Sequence, residues 1–149
     1  MLEGKQAGLS WALILRRREG LRRAFDGFDP EVMARYGEQK MAALLQDEAV
    51  IKNRLKLKAA VGNARAYLRL KEAHGSLDAF LWRYVNGRPI VGRWAGLSQV
   101  PASTPLSDRL SRDLKKQGFT FVGSVIVYSY MQAAGLVNDH VAGCFRCPD

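Results

Sequence analysis

The amino-acid sequence predicts an all-α fold, a single compact helical domain, from three observations. Its 149 residues are 48% hydrophobic, which suits one globular domain with a sizeable core. Apolar residues recur at helical spacing along most of the chain, and strand-like alternation is scarce. Glycines, prolines and capping residues divide that pattern into segments of helix length. Because neither an internal repeat nor a linker interrupts it, residues 1–149 are expected to form one domain.

The first half of the chain predicts a series of helices. Leu9 to Phe25 has apolar residues at nearly helical spacing, and the pair Asp29–Pro30 opens the next helix as N-cap and first helical residue. Glu38 to Gln46 follows as a short helix. The longest segment is Ile51 to Leu70, in which apolar residues at helical spacing share one face. Those residues are Leu57, Val61, Ala64 and Leu68.

The second half begins where Gly75 ends this long helix and Ser76 caps the next one. Residues 86–104 are rich in glycine and proline, which predicts a loop in which Val91 to Leu97 is a candidate extended piece. Pro105 then begins another helix directly after the loop.

The last predicted helix covers Phe119 to Ala134. Gly118 ends the helix before it, and Gly135 follows it. Because the segment is apolar nearly all round, we expect it to be the central buried helix of the domain.

The chain is strongly basic, with 23 Lys and Arg against 14 Asp and Glu and a net charge of +9. Such an excess favours a polyanionic partner, most often nucleic acid, although a solvated basic surface is the ordinary alternative. The region between Ala49 and Lys71 contains basic residues and no acidic one, so an anionic partner would relieve their mutual repulsion. Those basic residues are Lys52, Arg54, Lys56, Lys58, Arg65, Arg69 and Lys71.

Other sequence features indicate the cellular compartment in which the protein is expected. Two cysteines, Cys144 and Cys147, are too few for a disulfide scaffold. The N-terminal residues lack the basic-then-apolar pattern of a signal peptide, and the longest apolar stretch is too short to cross a bilayer. We therefore expect a cytoplasmic protein that does not bind a membrane.

Three groups of motifs occur in order along nearly the whole chain. The first is LEGKQAGLSW at residues 2–11, and the second combines NRLK at 53–56 with NARAY at 63–67. The third runs through GF, FVG, YS, MQA and GLVNDH between residues 118 and 140 and ends at Cys144. Their order and spacing resemble the DNA-3-methyladenine glycosylase I family. The resemblance implies a compact helical domain of the helix-hairpin-helix DNA glycosylase type, in a chain that begins after the family's N-terminal segment.

The resemblance also implies roles for particular residues. Glu3, on its own an ordinary solvated carboxylate, would be the catalytic and base-binding group in the lesion pocket, accepting hydrogen bonds from the adenine edge. N3-methyladenine in DNA is positively charged, so a buried carboxylate complements it, whereas neutral adenine leaves that carboxylate poorly compensated. Trp11, otherwise a core tryptophan, would stack on the cationic base. Ser129 is a candidate for the pocket lining, and Tyr128 is expected to pack in the core.

The DNA-binding region implied by the resemblance lies at Ile51 to Lys58. This is the helix-hairpin-helix region of the family, and it makes Lys52, Arg54 and Lys56 candidate phosphate contacts. The stretch lacks the glycine hairpin of the wider superfamily, as is typical of members of this family. We expect the partner to be double-stranded DNA with an alkylated adenine, bound by a monomer.

A metal site is suggested by the spacing of His140, Cys144 and Cys147. Two ligands four residues apart lie on the same side of a helix, which suits a metal, but a closed structural zinc site needs four ligands. A redox role for the cysteine pair lacks its usual fold context. The resemblance implies that His140 and Cys144 are two of four zinc ligands, the other two belonging to the N-terminal segment. We therefore expect half a zinc site, with Cys147 as a possible substitute ligand.

Together these features predict a monofunctional base-excision repair enzyme that hydrolyses the N-glycosidic bond of N3-methyladenine in DNA. The charge of the lesion already makes the base a good leaving group, so the family needs no strong catalytic aspartate, and positioning supplies most of the rate. The alternatives are a DNA-binding relic of the same fold that no longer excises bases, and a zinc-dependent interaction module based on His140, Cys144 and Cys147.

Overall fold

The structure is a computed structural model that describes residues 1–147, and helices dominate it. Its helices and strands follow the order α1 (Leu2–Gln6), α2 (Trp11–Ala24), α3 (Pro30–Met33), α4 (Glu38–Gln46), α5 (Arg54–His74), α6 (Leu77–Trp82), β1 (Ile90–Val91), α7 (Pro105–Lys116), α8 (Ser124–Ala133) and β2 (Val137–Asn138), with 3-10 turns at Asp26–Phe28, Arg83–Val85 and Leu97–Gln99. This order confirms the predicted helical fold.

Local capping determines where the helices begin. The side chain of Asp29 accepts hydrogen bonds from the first amides of α3, that of Ser76 caps α6, and Thr104 forms a reciprocal capping box at the start of α7. These starts confirm the predictions from sequence. Ser10 and Asn53 cap α2 and α5 in the same way, so both helices begin a few residues later than the apolar pattern alone indicates.

Helix α5 is the central element of the fold. One of two core clusters packs against its first half, and Leu70 near its end belongs to the other cluster. The first cluster is Leu21, Phe25, Met33, Tyr36, Leu44, Val50, Leu57, Ala60, Val61 and Ala64. The second is Leu70, Phe80, Leu81, Val85, Leu110, Leu114, Val127, Tyr128, Met131, Leu136 and Val137.

The prediction of a central buried helix over Phe119 to Ala134 is wrong in its start and in its burial. Residues 119–123 are not helical, because Gly118 and Phe121 both have positive φ angles, 92° and 55°, which turn the chain between α7 and α8. Helix α8 begins at Ser124, and its Val125 is 53% exposed. Tyr128 packs in the core as expected.

The only extended structure within residues 1–147 is a pair of two-residue strands. β1 pairs in parallel with β2, with Ile90 opposite Val137, so the extended piece lies slightly before the predicted Val91 to Leu97. The Asp139 carboxylate ties this region together by accepting hydrogen bonds from Trp94 (2.7 Å), Tyr128 (2.6 Å) and Gln132 (2.8 Å). Burial on its own would raise the pKa of Asp139, but these three hydrogen bonds hold the pKa below its usual value.

None of the helices in the described part of the chain is both long and apolar enough to cross a membrane.

Candidate functional site

A cavity of about 380 Å³ lies between the two core clusters. Its wall is formed by α1, the turn before α3, α3, α5, α6, the end of α7, residues 119–122 and α8. Most of the lining is apolar, and several side chains are aromatic: Phe28, Tyr67, Phe119, Phe121 and Tyr130. A volume of this size with an aromatic wall suits a small, flat, mostly apolar ligand.

Glu3 lies in the wall of this cavity. Its Oε2 atom is buried and has no hydrogen-bond partner within the protein. Every other buried side-chain nitrogen or oxygen atom among the described residues has one. Burial raises the pKa of the Glu3 carboxyl above its usual value. A desolvated oxygen without a partner is costly, so this atom is placed to accept a hydrogen bond from something that enters the cavity.

The aromatic wall at residues 119–122 is held in place by side chains from neighbouring helices. The Asn63 amide on α5 donates to the Thr120 carbonyl (2.9 Å), and its oxygen accepts from the Thr120 amide (2.8 Å). The Ser111 hydroxyl on α7 donates to the Val122 carbonyl (2.6 Å). These contacts satisfy backbone groups that a helix would otherwise pair, and they keep Phe121 in the wall.

Trp11 and Ser129, the other predicted base contacts, do not line the cavity in this structure. Trp11 is half-buried at the first residue of α2, and Ser129 is half-buried on α8, beside the lining residue Tyr130. The roles assigned to these two residues stay predictions.

The predicted phosphate contacts separate into two kinds. Lys52 and Arg54 are exposed just before and at the start of α5, and Lys58 is exposed one turn further on, although the sequence did not single it out. Within residues 1–147, none of these three side chains forms a salt bridge. Further along α5, by contrast, Arg65 donates to the carbonyl of Ala34, 2.8 Å away. The start of α5 therefore presents three exposed cations that are available to an anion.

The prediction that Lys56 contacts a phosphate needs correction, because the Lys56 side chain points inward. It is only 6% exposed, and its ammonium group donates to the backbone carbonyls of Lys5 (2.8 Å) and Ala7 (2.5 Å). Lys5 is 3% exposed and donates in return to the carbonyl of Lys56 (3.1 Å). In this arrangement Lys56 joins α5 to α1 and does not present its charge to solvent. The charge pattern along the sequence could not show this, because the partner lies about fifty residues away.

The predicted metal ligands His140 and Cys144 are neighbours, but not on a helix. They lie in the loop after β2, where a turn closed by the Cys144 amide and the Val141 carbonyl brings Cys144 Sγ to 3.6 Å from His140 Nδ1. Zinc bonds of about 2.3 Å to sulfur and about 2.0–2.1 Å to nitrogen, at a tetrahedral angle, put two donors about 3.6 Å apart. The pair therefore fits two positions of a zinc site.

The rest of the described chain adds no obvious ligands to this pair. Among residues 1–147, no group of three or more His, Cys, Asp or Glu side chains converges as a metal site. Cys147 is half-buried, and its amide donates to the carbonyl of Cys144.

Several residues that line the cavity were not among the site residues predicted from the sequence. Tyr67, Phe119, Phe121 and Tyr130 all line it, and all but Tyr130 belong to the three groups of motifs. The signal available was the concentration of aromatic residues in and beside those motifs. What was missing was the fold that brings α5, α8 and residues 119–122 together.

Comparison with known proteins shows which proteins this chain is similar to. A family model described as methyladenine glycosylase matches residues 1–147. DNA-3-methyladenine glycosylase 1 of Escherichia coli (strain K12) is 50% identical over 147 residues, which are 99% of this chain and 79% of that protein. DNA-3-methyladenine glycosylase of Haemophilus influenzae is 43% identical over 143 residues, 96% of this chain and 77% of that protein. A solved variant of 3-methyladenine DNA glycosylase I in complex with 3-methyladenine superimposes with a TM-score of 0.95 at 38% identity, covering 99% of this chain and 80% of that one.

Proposed function

The chain belongs to the methyladenine glycosylase family, and on that premise we propose that it excises 3-methyladenine from alkylated DNA. It is a hydrolytic DNA glycosylase of base-excision repair: water replaces the base at the sugar carbon, and the N-glycosidic bond breaks. The nucleotide must first leave the base stack, because its glycosidic bond cannot be reached inside the duplex.

The observation that carries this proposal is the unpartnered Glu3 oxygen inside an aromatic cavity. The cavity can enclose a flat base, and the aromatic side chains offer faces for stacking. Because an ionised carboxylate only accepts hydrogen bonds, it pairs with the donor groups on a purine edge. A cationic base would in addition compensate the buried charge.

The same arrangement explains selection against normal adenine. A neutral base brings no charge to offset the desolvation of Glu3, while the methylated base does. The positive charge also weakens the glycosidic bond by making the base a better leaving group, so the protein has mainly to bind and orient it. Glu3 is the one carboxylate among the described residues of the cavity wall, which agrees with a mechanism based on recognition.

DNA binding is proposed for the exposed cations at the start of α5. Lys52, Arg54 and Lys58 are free of salt bridges within residues 1–147, and phosphates are the natural partners of such a group. We propose that this helix start is the helix-hairpin-helix contact to double-stranded DNA. A monomer is sufficient, because the cavity and the cations belong to one chain, and a cytoplasmic location is proposed for an enzyme whose substrate is DNA.

Zinc is proposed as a structural ion bound through His140 and Cys144. The 3.6 Å separation of their donor atoms supports this, as does the preference of zinc for thiolate and imidazole ligands. The ion would stabilise the loop after β2 and would take no part in breaking the glycosidic bond. The neighbouring Asp139 network already holds this loop against α8.

The direct test is excision from DNA treated with a methylating agent. Released bases are separated by chromatography, and the remaining DNA is checked for abasic sites and for strand breaks. We expect free 3-methyladenine, abasic sites and intact strands, with little release by a Glu3→Gln variant. DNA binding without any release of 3-methyladenine would instead identify a non-catalytic DNA-binding protein of the same fold.

A further inference from the structure

Two lysines are buried side by side where α1 meets α5. Lys5 is 3% exposed and Lys56 is 6% exposed, and each donates to the backbone carbonyl of the other, at 3.1 Å and 2.8 Å. Lys56 also donates to the carbonyl of Ala7, and the Lys5 ammonium lies 4.6 Å from the centre of the Phe25 ring. Buried lysines are rare, and each ammonium group costs free energy to desolvate, so this pair needs a physical reason.

The reason lies in the length of α1. A helix of five residues cannot satisfy its own last carbonyls, and so short a helix is not stable by itself. The carbonyls of Lys5 and Ala7 are two of these C-terminal acceptors, and the Lys56 ammonium binds both. Its positive charge also interacts favourably with the negative end of the helix dipole. Lys56 therefore acts as a side-chain cap for α1, supplied by another helix.

Helix α1 needs such a cap because it carries Glu3. The buried Glu3 oxygen has no hydrogen-bond partner within the protein, so the carboxylate would be better solvated outside the cavity than in its wall. A loosely held α1 would let Glu3 move out to solvent. We propose that Lys56 is a positioning residue, which caps the C-terminal end of α1 and thereby holds the Glu3 carboxylate inside the cavity. Its effect on base recognition rests on the proposed function, whereas the cap itself does not.

The two lysines divide the task unequally. The contacts of Lys56 are made to backbone carbonyls, which remain when the Lys5 side chain is replaced. The Lys5 ammonium lies over the Phe25 ring, and the thioether of a methionine also makes a favourable contact with an aromatic ring. Lys5→Met is therefore a matched control for Lys56→Met: each removes one buried ammonium group from the same place, but only the second removes the cap.

The experiment compares the parent, Lys56→Met, Lys5→Met and Lys58→Met, the last as an exposed lysine on the same helix. Three quantities are measured: the pKa of Glu3 by NMR with a carboxyl-labelled glutamate, the affinity for free 3-methyladenine, and the salt dependence of DNA binding. Lys56→Met should bring the pKa of Glu3 down towards its ordinary value, because the carboxylate gains access to water. It should weaken base binding on the order of tenfold and leave the salt dependence unchanged.

The two control variants should not reproduce these changes. Lys5→Met should leave the pKa of Glu3 and the base affinity close to those of the parent, and Lys58→Met should reduce only the salt dependence. An unchanged Glu3 pKa and unchanged base affinity in a folded Lys56→Met protein would overturn the proposal. So would a reduced salt dependence in that variant, because it would make Lys56 a phosphate contact.

Two other outcomes of the experiment can be distinguished from these. If Lys56→Met does not fold, as judged by circular dichroism, Lys56→Gln is measured instead, because it removes the charge and retains an N–H donor. The same shift of the Glu3 pKa, smaller in size, is then expected, and its absence overturns the proposal. If the parent binds no 3-methyladenine, the proposed function fails, but the Glu3 pKa in the variants still tests the cap.

Discussion

Replacing Lys5 with methionine should change how the stability of the protein depends on pH. Burial, together with the charge of Lys56, lowers the pKa of Lys5 from 10.5 to about 8. The unfolded chain therefore holds this proton more tightly than the folded protein does. Stability should rise as the pH increases from the folded pKa towards the unfolded one, because the proton that opposes folding is lost.

The magnitude follows from the two pKa values. Between about pH 8 and about pH 10, linkage with these values raises the free energy of unfolding by about 2 kcal/mol. The upper limit is set by tyrosines whose pKa is raised in the folded state by burial and by hydrogen bonds to carboxylates, such as Tyr84 at about 12. Above about pH 10 the unfolded tyrosines ionise first, so stability falls again.

Urea unfolding of the parent and of Lys5→Met, at several pH values and constant ionic strength, measures this directly. The parent should gain stability in the window between about pH 8 and about pH 10, and the variant should gain less, so their difference in unfolding free energy changes by about 2 kcal/mol. The pKa of Lys56 is also lowered by burial, but that contribution is present in both proteins. Parallel pH profiles would refute the reasoning, because they would show that the Lys5 ammonium is as well solvated in the folded protein as in the unfolded chain.

Three other predictions concern the surface and the C-terminal loop. Replacing Lys52, Arg54 and Lys58 with alanine should weaken binding to all DNA sequences alike. The slope of log K against log salt should become shallower by about one unit for each phosphate that loses its cation. An unchanged slope in binding titrations would show that the phosphates bind elsewhere on the protein. Asp139→Asn should lower the free energy of unfolding by about 2–4 kcal/mol, because three donors lose their charged acceptor. This difference from the parent should vanish in acid, as the pH falls through the lowered pKa of the Asp139 carboxyl. A melting temperature equal to that of the parent at neutral pH would contradict the prediction. Zinc should bind weakly, because no group of three or more ligating side chains converges within residues 1–147. The 149-residue chain should therefore retain well under one equivalent of zinc after dialysis, and Cys144→Ser should retain none. Stoichiometric zinc in the parent, by metal analysis, would point to Cys147 as a further ligand.

The parts of the fold that sequence could predict depend on neighbours along the chain. The helix starts at Asp29, Ser76 and Thr104 were predicted because a capping side chain and the amides it binds lie within three residues. The loop over residues 119–123 was missed because its main stabiliser, Asn63, is 57 residues away from Thr120. An apolar sequence does not reveal that a distant amide replaces its helical hydrogen bonds.

The same distinction between local and distant interactions applies to the site residues. Glu3 was assigned through its motif, and the structure places it in the cavity with an unpartnered oxygen. Lys56 was assigned as a phosphate contact through the family resemblance and the basic run, and neither shows whether an ammonium group faces solvent or donates to a backbone carbonyl. Tyr130 received no role because it lies between the YS and MQA motifs, and the sequence does not show which side of α8 faces the cavity.

The central claim is that the Glu3 carboxylate recognises a methylated base, and titration of the protein with free 3-methyladenine tests it most directly. Glu3→Gln retains the size of the side chain and removes its charge, so DNA affinity and folding should be preserved. We expect saturable binding to the parent and a reduction in binding free energy of about 1–3 kcal/mol in the variant, the scale of a charge-assisted hydrogen bond. Equal affinity of the parent and the variant for 3-methyladenine would contradict the claim.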